Sequence, residues 1–479
     1  MSEGPAPGLR AWAGIAGAAV VAAAMIPSGP PGIGLLIAGC AIAGAVAAAR
    51  PRRLDADSLA FSAAALAFLA MAAIFDAPWV ILVDVLAAAA CSAIAVTGAQ
   101  TWTAVLTAPF RVAAQAFNVP GVMLRALPRG RFGIERGAAA RALGLSTVLL
   151  VTFGALFTSA DAAFARIAED VLLPDIGAEL LPARVLTGLL VLAGAGALVL
   201  TGLRPSPVTG EKSRFSIDPF APSSVRRDRG PRALSTIEWA LPLALLNALF
   251  AAFVVVQIAV LFGGHRQVLE TSGLTYAEYA RAGFFQLVVI AALVLGVVAA
   301  SVKVVKEHRR LLKVLLGVLC VLTLVVLASA LRRMDLYESA YGLTRIRVAV
   351  YAVDLWLAGL FTLVVVAGAA NRASWLPRAV VALTVAGLLA FNVSNPDARI
   401  AESGVERWRA TGEIDAYYLS TLSADGLPPL MGLPHDVRRC IVGPIAAGVQ
   451  RSAGAWSSFN LSRERSLDLT ATEDITCTY

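Results

Sequence analysis

The chain has 479 residues, 58% of them hydrophobic and only 15% charged, with a formal net charge of +8. A soluble domain carries about 25% charged residues, so this composition excludes a soluble globular chain and points to repeated membrane crossing. The positive charge does not indicate nucleic acid, because the 36 Arg and four Lys are dispersed over short connections. That dispersion is the pattern of an orientation signal and of contact with anionic lipid.

Eleven apolar stretches of about bilayer-spanning length follow in chain order: 11–26, 32–49, 58–75, 78–100, 139–159, 183–203, 235–262, 282–302, 311–331, 345–369 and 375–394. Arg10 ahead of a short apolar run gives the first the look of a signal peptide. The second run follows at once, so the pair is predicted as a membrane hairpin. Every second connection is rich in Arg and Lys. The even-sided pieces, with the N-terminus, hold 24 of the 40 basic residues, the odd-sided loops hold 8, and the segment after 394 holds 8. The positive-inside rule then predicts a cytoplasmic N-terminus and an outer C-terminal segment.

Two cytoplasmic stretches are more than short turns. Residues 101–128 mix aromatic and aliphatic side chains with Arg111 and Arg125, predicting one or two amphipathic helices in the inner interface, or a short re-entrant or packed segment. Residues 204–234 are rich in Pro, Ser and Arg and predict a flexible linker. The 85 residues from Asn395 are polar and rich in turn formers. Asn395-Pro396-Asp397 predicts a helix start and Gly412 its stop, while Asp415 and Ser423 are candidate caps of further short helices. The expected fold class is all-α: a polytopic helical membrane bundle over 1–394 and a small C-terminal all-α extracytoplasmic domain over 395–479. A segment of that size has a modest core of its own.

All eight Tyr fall on the predicted outer side, among charges. One loop carries Tyr276, Glu278, Tyr279 and Arg281; the next carries Asp335, Tyr337, Glu338, Tyr341, Arg345 and Arg347, followed by Tyr351. Such a mixture suits a seat for the C-terminal segment, a surface for a carbohydrate, headgroup or peptide, or an interfacial aromatic belt. Ionisable residues inside spans are costly and face bundle interiors or cavities. Asp354 shares a helical face with Arg347 and Tyr351, and Asp84 lies in the fourth span. Both are candidates for an outward-facing polar cavity, with fixed packing as the alternative. Glu238 sits near the inner end of the seventh span.

Of the five Cys, Cys40, Cys91 and Cys320 lie in apolar spans, whereas Cys440 and Cys477 sit in the C-terminal segment, where a disulfide is compatible with an outer location. The three His show no metal-ligand spacing, no cofactor motif is present, and no phosphate loop, G-x-S-x-G or H-E-x-x-H appears. Asp76, in a short first-side loop, carries a weak likeness to the acid of membrane glycosyltransferases that use lipid-linked sugars, but no second acid accompanies it there.

The run Asn395-Pro396-Asp397-Ala398-x-Ile400-Ala401, then Glu406-Arg407, Thr411-Gly412, Asp415-x-x-Tyr418-Leu419, Leu422-Ser423-x-Asp425 and Pro428 resembles the C-terminal signature of a bacterial membrane family known as domain of unknown function 4173, with a sister numbered 4153. Tyr279-Ala280-Arg281-x-Gly283-Phe284-Phe285, Tyr341-Gly342-Leu343-Thr344-x-x-Arg347 and Phe153-Gly154-Ala155-Leu156-Phe157 followed by Ser159-Ala160-Asp161 are similar to it too. Gly404 and Gly426 depart from the pattern. The resemblance implies a multi-span bacterial plasma-membrane protein and no reaction type.

Three functions remain open. The first is a non-enzymatic envelope protein, a sensor or complex subunit working at its outer face. The second is a transporter or lipid-handling protein with an Asp354-centred cavity. The third is a lipid-linked-sugar glycosyltransferase with a groove near Asp76 or Asp161. The expected partners are the lipid bilayer and either other envelope proteins or a small-molecule or lipid ligand.

Overall fold

The computed structural model describes residues 7–49, 55–126, 181–203, 236–262, 284–305, 308–452 and 454–471. These residues form helices and turns, with no strand among them. An all-helical solution is what a hydrocarbon solvent demands, since each helix satisfies its own backbone groups. The chain divides into two compact units: Met1–Arg214 with Ala416–Tyr479, and Phe215–Asp415.

The first unit begins with α1 (Leu9–Met25), α2 (Ile33–Ala49), α3 (Ala56–Met71), α4 (Pro78–Thr97), α5 (Trp102–Ala116), α6 (Val119–Ala126) and α7 (Leu181–Leu203). Its C-terminal part holds α14 (Ala416–Ser420), α15 (Leu427–Leu430), α16 (His435–Ser452) and α17 (Leu461–Thr470), with 3-10 turns at Ala424–Gly426 and Trp456–Ser458. Helix α1 packs against α2 and α7, and α3 against α4. Small residues permit the close approach: Ala18, Ala22 and Ala38 are buried, and Trp12, Ile15 and Leu200 fill the space between. The Ser58 hydroxyl donates to the Ala95 carbonyl at 2.9 Å, tying α3 to α4.

The amphipathic stretch is two helices, α5 and α6. Thr101 caps α5 by accepting from the Ala104 amide at 3.4 Å. Ala104 and Ala108 face inward, while Leu106, Phe110 and Phe117 stand exposed, the last at 89%.

The second unit contains α8 (Thr236–Phe262), α9 (Phe284–Val304), α10 (Arg309–Tyr341), α11 (Arg345–Ala369), α12 (Leu376–Val393) and α13 (Pro396–Thr411). Helices α8, α9 and α11 pack on the long α10 around Phe250, Leu319, Leu327, Leu357 and Phe361. Polar pairs stitch these helices: Asn247 donates to the carbonyls of Leu243 and Leu315, Ser329 to Gln257 at 3.0 Å, and the Trp356 indole to Thr384 at 3.0 Å. Helix α13 starts and stops where the turn residues predict. Asn395, in the left-handed region at φ 49°, accepts from the Ala398 amide, and Gly412 closes the helix at φ 75°.

Six helices among the described residues are long and apolar enough to cross a membrane: α4, α7, α8, α10, α11 and α12. Helices α1, α2, α3 and α9 are shorter apolar helices, and the predicted span 139–159 lies outside the described residues. The 16 residues of α3 rise only about 24 Å, less than the thickness of a typical hydrocarbon core. Length and composition thus establish six candidate crossings among the described residues. By compactness, residues 396–411 group with the second unit and 416–471 with the first.

Candidate functional site

At one end of the first unit, the turns after α1 and α3 meet the C-terminal helices. A helix end leaves its last carbonyls and first amides without internal partners, and here the distant segment supplies them. The Asn460 side-chain amide donates to the carbonyls of Ala72 and Phe75, both at 2.8 Å. The amides of Leu461 and Ser462 donate to Ala73 and Ile74 at 2.9 and 3.2 Å. Asn460 Oδ1 also accepts from the Arg463 amide at 3.1 Å, capping α17. At the start of α2, the Ile33 amide donates to the Phe459 carbonyl at 2.9 Å. Gly32 is necessary at this crossing: a Cβ there would stand 2.6 Å from the Phe459 carbonyl oxygen.

The same junction gathers two carboxylates and a guanidinium. Arg463 donates to Asp76 Oδ1 at 2.7 Å and to the carbonyls of Pro31 and Ser458. The Asp76 amide donates to Asp425 Oδ2 at 2.7 Å, and the Ser423 hydroxyl reaches the same oxygen at 3.1 Å. The Asp76 side chain is 17% exposed and that of Arg463 is 7% exposed. Burial pushes the Asp76 carboxyl up to about 6, outweighing the attraction of Arg463, and the neighbouring Asp425 charge pushes the same way. Burial likewise pulls Arg463 down, against the pull of Asp76. The arrangement is a buried clasp whose polar groups are directed at one another.

In the second unit, the turn between α10 and α11 collects the second Tyr-and-charge cluster. The Arg347 guanidinium lies 4.2 Å over the Tyr337 ring and donates to the carbonyls of Tyr341 and Gly342. The Tyr351 hydroxyl reaches Asp335 at 2.8 Å and Glu338 at 3.0 Å. Arg345 grips Asp397, at the first turn of α13, through Nε at 3.2 Å and Nη2 at 2.9 Å. The Asp397 side chain is fully buried. The Leu343 amide donates to Ser403, so α13 is seated on this turn by side-chain and backbone contacts alike.

Seven predicted site residues therefore come together: Asp335, Tyr337, Glu338, Tyr341, Arg345, Arg347 and Tyr351. Tyr276, Glu278, Tyr279 and Arg281 lie outside the described residues. Asp84 is buried in the first unit on the face of α4 that carries Val80, Ile81 and Ala88, whereas Asp354 is buried in the second. Cys440 is disulfide-bonded, its predicted partner Cys477 lies outside the described residues, and Cys40, Cys91 and Cys320 are free. Sequence reading missed the Asp76–Arg463–Asp425 clasp. Asn460 ahead of the polar helix LSRERSLDLT was its one local signal, the usual mark of a helix cap.

Apolar helices of this number and length define a multi-pass integral membrane protein. The family described as domain of unknown function (DUF4153) matches residues 61–433, and the chain belongs to it. The match is to 4153, the number that the motifs gave second, after 4173. It spans Asp76, Asp425 and the α10–α11 cluster, while Asn460 and Arg463 lie beyond it. No curated protein and no solved structure matches the chain.

Proposed function

We propose that this protein is a non-enzymatic component of the bacterial cell envelope, a sensor or complex subunit, with a cytoplasmic N-terminus and its working surface on the outer face of the plasma membrane. The observation that carries the reading is the use made of the distinctive polar residues. Arg463 closes on Asp76 and Arg345 on Asp397, so each pair fastens a polar segment onto a helix end. The alternation of basic loops supports the orientation, and so does the oxidised Cys440, since disulfides persist outside the cytoplasm. We take Cys477 as its partner and the eleven apolar stretches as eleven crossings. The segment fastened in the first unit exposes Tyr417 at 84% and Trp456 at 66%, large amphipathic rings suited to a protein or headgroup partner.

The test is the side on which the C-terminus lies. Alkaline phosphatase fused after Tyr479 is expected to be active and a fluorescent protein there dark. An impermeant maleimide is expected to label Tyr417→Cys in intact cells. A fluorescent C-terminal fusion, with labelling only after lysis, would overturn the reading.

A second reading, a transporter or lipid-handling protein, is favoured by one observation: the carboxylate of Asp354 is fully buried within a candidate crossing.

A further inference from the structure

Asp354 occupies the tenth position of α11, and its exposure is zero. Helical spacing puts it on the face that carries Val350, Tyr351, Leu357, Ala358 and Phe361, all part of the apolar core shared with α8, α9 and α10. On the two flanks of that face, Ile346, Val353 and Leu355 are exposed in the unit and suited to lipid. Neither carboxylate oxygen of Asp354 has a hydrogen-bond partner among the described residues. An ionised carboxylate held this way forfeits its hydration with no compensating contact, whereas a neutral carboxylic acid forfeits far less.

We propose that Asp354 is a proton-binding site inside the second unit, loaded from the end at which α10 meets α11. Tyr351, one turn before it on the same face, directs its hydroxyl to Asp335 and Glu338. The Asp335 side chain is 53% exposed, so water reaches the head of this series. Solvent-accessible Asp335 and the Tyr351 phenol thus stand one helical turn from the buried acid, and a proton passing from the phenol to Asp354 has that one unbonded step to cross.

The charged groups on the packed helices are engaged or terminal. Within the core, α10 presents Cys320 and Tyr337. Beyond it, α10 carries Arg332 and Arg333 near Asp335 and Glu338, and Arg309, Arg310 and Lys313 at its far end. Helix α8 carries Glu238 in its first turn, α9 Lys303 in its last, and α12 Arg378 in its first. On α11, Arg345 is committed to Asp397 of α13, and Arg347 to Tyr337 and two carbonyls. The remaining charges of α13, at Arg399, Glu402, Glu406, Arg407 and Arg409, lie beyond that ion pair. None of these groups hydrogen-bonds Asp354.

The inference does not depend on the side of the membrane at which the C-terminus lies, and its test is separate. Full-length protein in phospholipid nanodiscs is treated with dicyclohexylcarbodiimide, an apolar reagent that attacks protonated carboxyls, and the labelled residue is found by peptide mass spectrometry. Modification of Asp354 is expected, falling several-fold as the pH is raised from 6 to 9. Infrared difference spectra are expected to show a protonated-carboxyl carbonyl band that is absent in Asp354→Asn. In deuterium oxide that band is expected to shift at least tenfold more slowly in Tyr351→Phe. Wild-type protein with no modification and no band across this range overturns the proposal. Protection of Asp354 by sodium or potassium at constant pH also overturns it, in favour of a cation site. An unchanged shift rate in Tyr351→Phe overturns the route through Tyr351.

Discussion

Arg463 and Asp76 stand 387 positions apart in the chain, yet their nitrogen and oxygen are 2.7 Å apart. The pair is buried beside Asp425, and Arg463 also satisfies two carbonyls, so three separate turns converge on one guanidinium. Removing one partner of such a pair leaves an uncompensated charge. Arg463→Ala is expected to destabilise the protein by about 3 kcal/mol. Thermal unfolding in detergent, followed by the fluorescence of an environment-sensitive thiol dye at buried Cys91, measures it. A loss under about 0.5 kcal/mol, the range of an ordinary surface substitution, would contradict the structural role of the clasp.

Asp76 makes the pH dependence opposite to that of a simple ion pair. Its carboxyl rises from 3.8 to about 6 in the folded protein, with burial the first cause. The folded state therefore binds the proton more tightly than the unfolded chain does. The resulting stability is fully present below about 3.8 and is lost as the pH rises through about 6. Wild type is expected to gain about 2 kcal/mol relative to Asp76→Asn on moving from pH 7.5 to pH 4.5. A relative loss on acidification would show that attraction to Arg463 outweighs burial.

Asn460 performs two tasks that separate chemically. Asn460→Asp keeps an oxygen that caps α17 but loses the donor that reaches Ala72 and Phe75. Asn460→Ala loses both. We expect costs of about 1–2 kcal/mol for Asp and about 2–3 kcal/mol for Ala. Equal and negligible losses in the two variants would mean that the segment is held elsewhere.

Gly32→Ala tests the crossing from the other side. The new methyl would meet backbone atoms of Ser458 and Phe459, which have no rotamer to yield. Increased protease sensitivity between 455 and 471 is expected, while Gly17→Ala, with nothing within 4 Å of its Cβ, serves as the neutral control. Equal sensitivity in the two variants would remove the crossing from the account.

The exposed stripe of α5 predicts lipid contact. With Leu106, Phe110 and Phe117 outward, Phe110→Trp is expected to be quenched by brominated phospholipid in a background lacking the other Trp residues. Trp at buried Ala108, or at Gln115 on the same inward face, is an unsuitable control because it overpacks the α5–α7 contact, so Phe110→Trp in unbrominated lipid serves instead. Equal fluorescence in the two lipids would argue against an interfacial orientation.

Much of the fold is legible in the chain because membrane helices advertise themselves locally. Apolar runs mark α1 to α4 and α7 to α12, and Asn395, Pro396 and Gly412 fix α13 within a residue. What local patterns omit is pairing between distant segments. Nothing near Asp76 signals Arg463, and nothing near Arg345 signals Asp397, because each contact is made by a fold that first brings separate helix ends together. The same limit explains the division of residues 395–479. Its polar character is uniform along the sequence, but Pro396–Thr411 finds its seat at the α10–α11 turn and Leu461–Thr470 at the α3–α4 turn. Helix lengths were a further limit, since an apolar composition identifies α3 without showing that its 16 residues stop at Met71.

Because the first unit is written in two pieces around the second, its construction has a built-in order during synthesis. The ribosome delivers α1 to α7 first, and the carbonyls of Ala72 to Phe75 must wait for residues 460–462, which follow the whole of the second unit. The intervening helices are delivered before that closure is possible. A nonsense mutation late in the gene would thus harm the earliest helices made, and a quality-control protease would meet its vulnerable target near residue 76 rather than at the break itself.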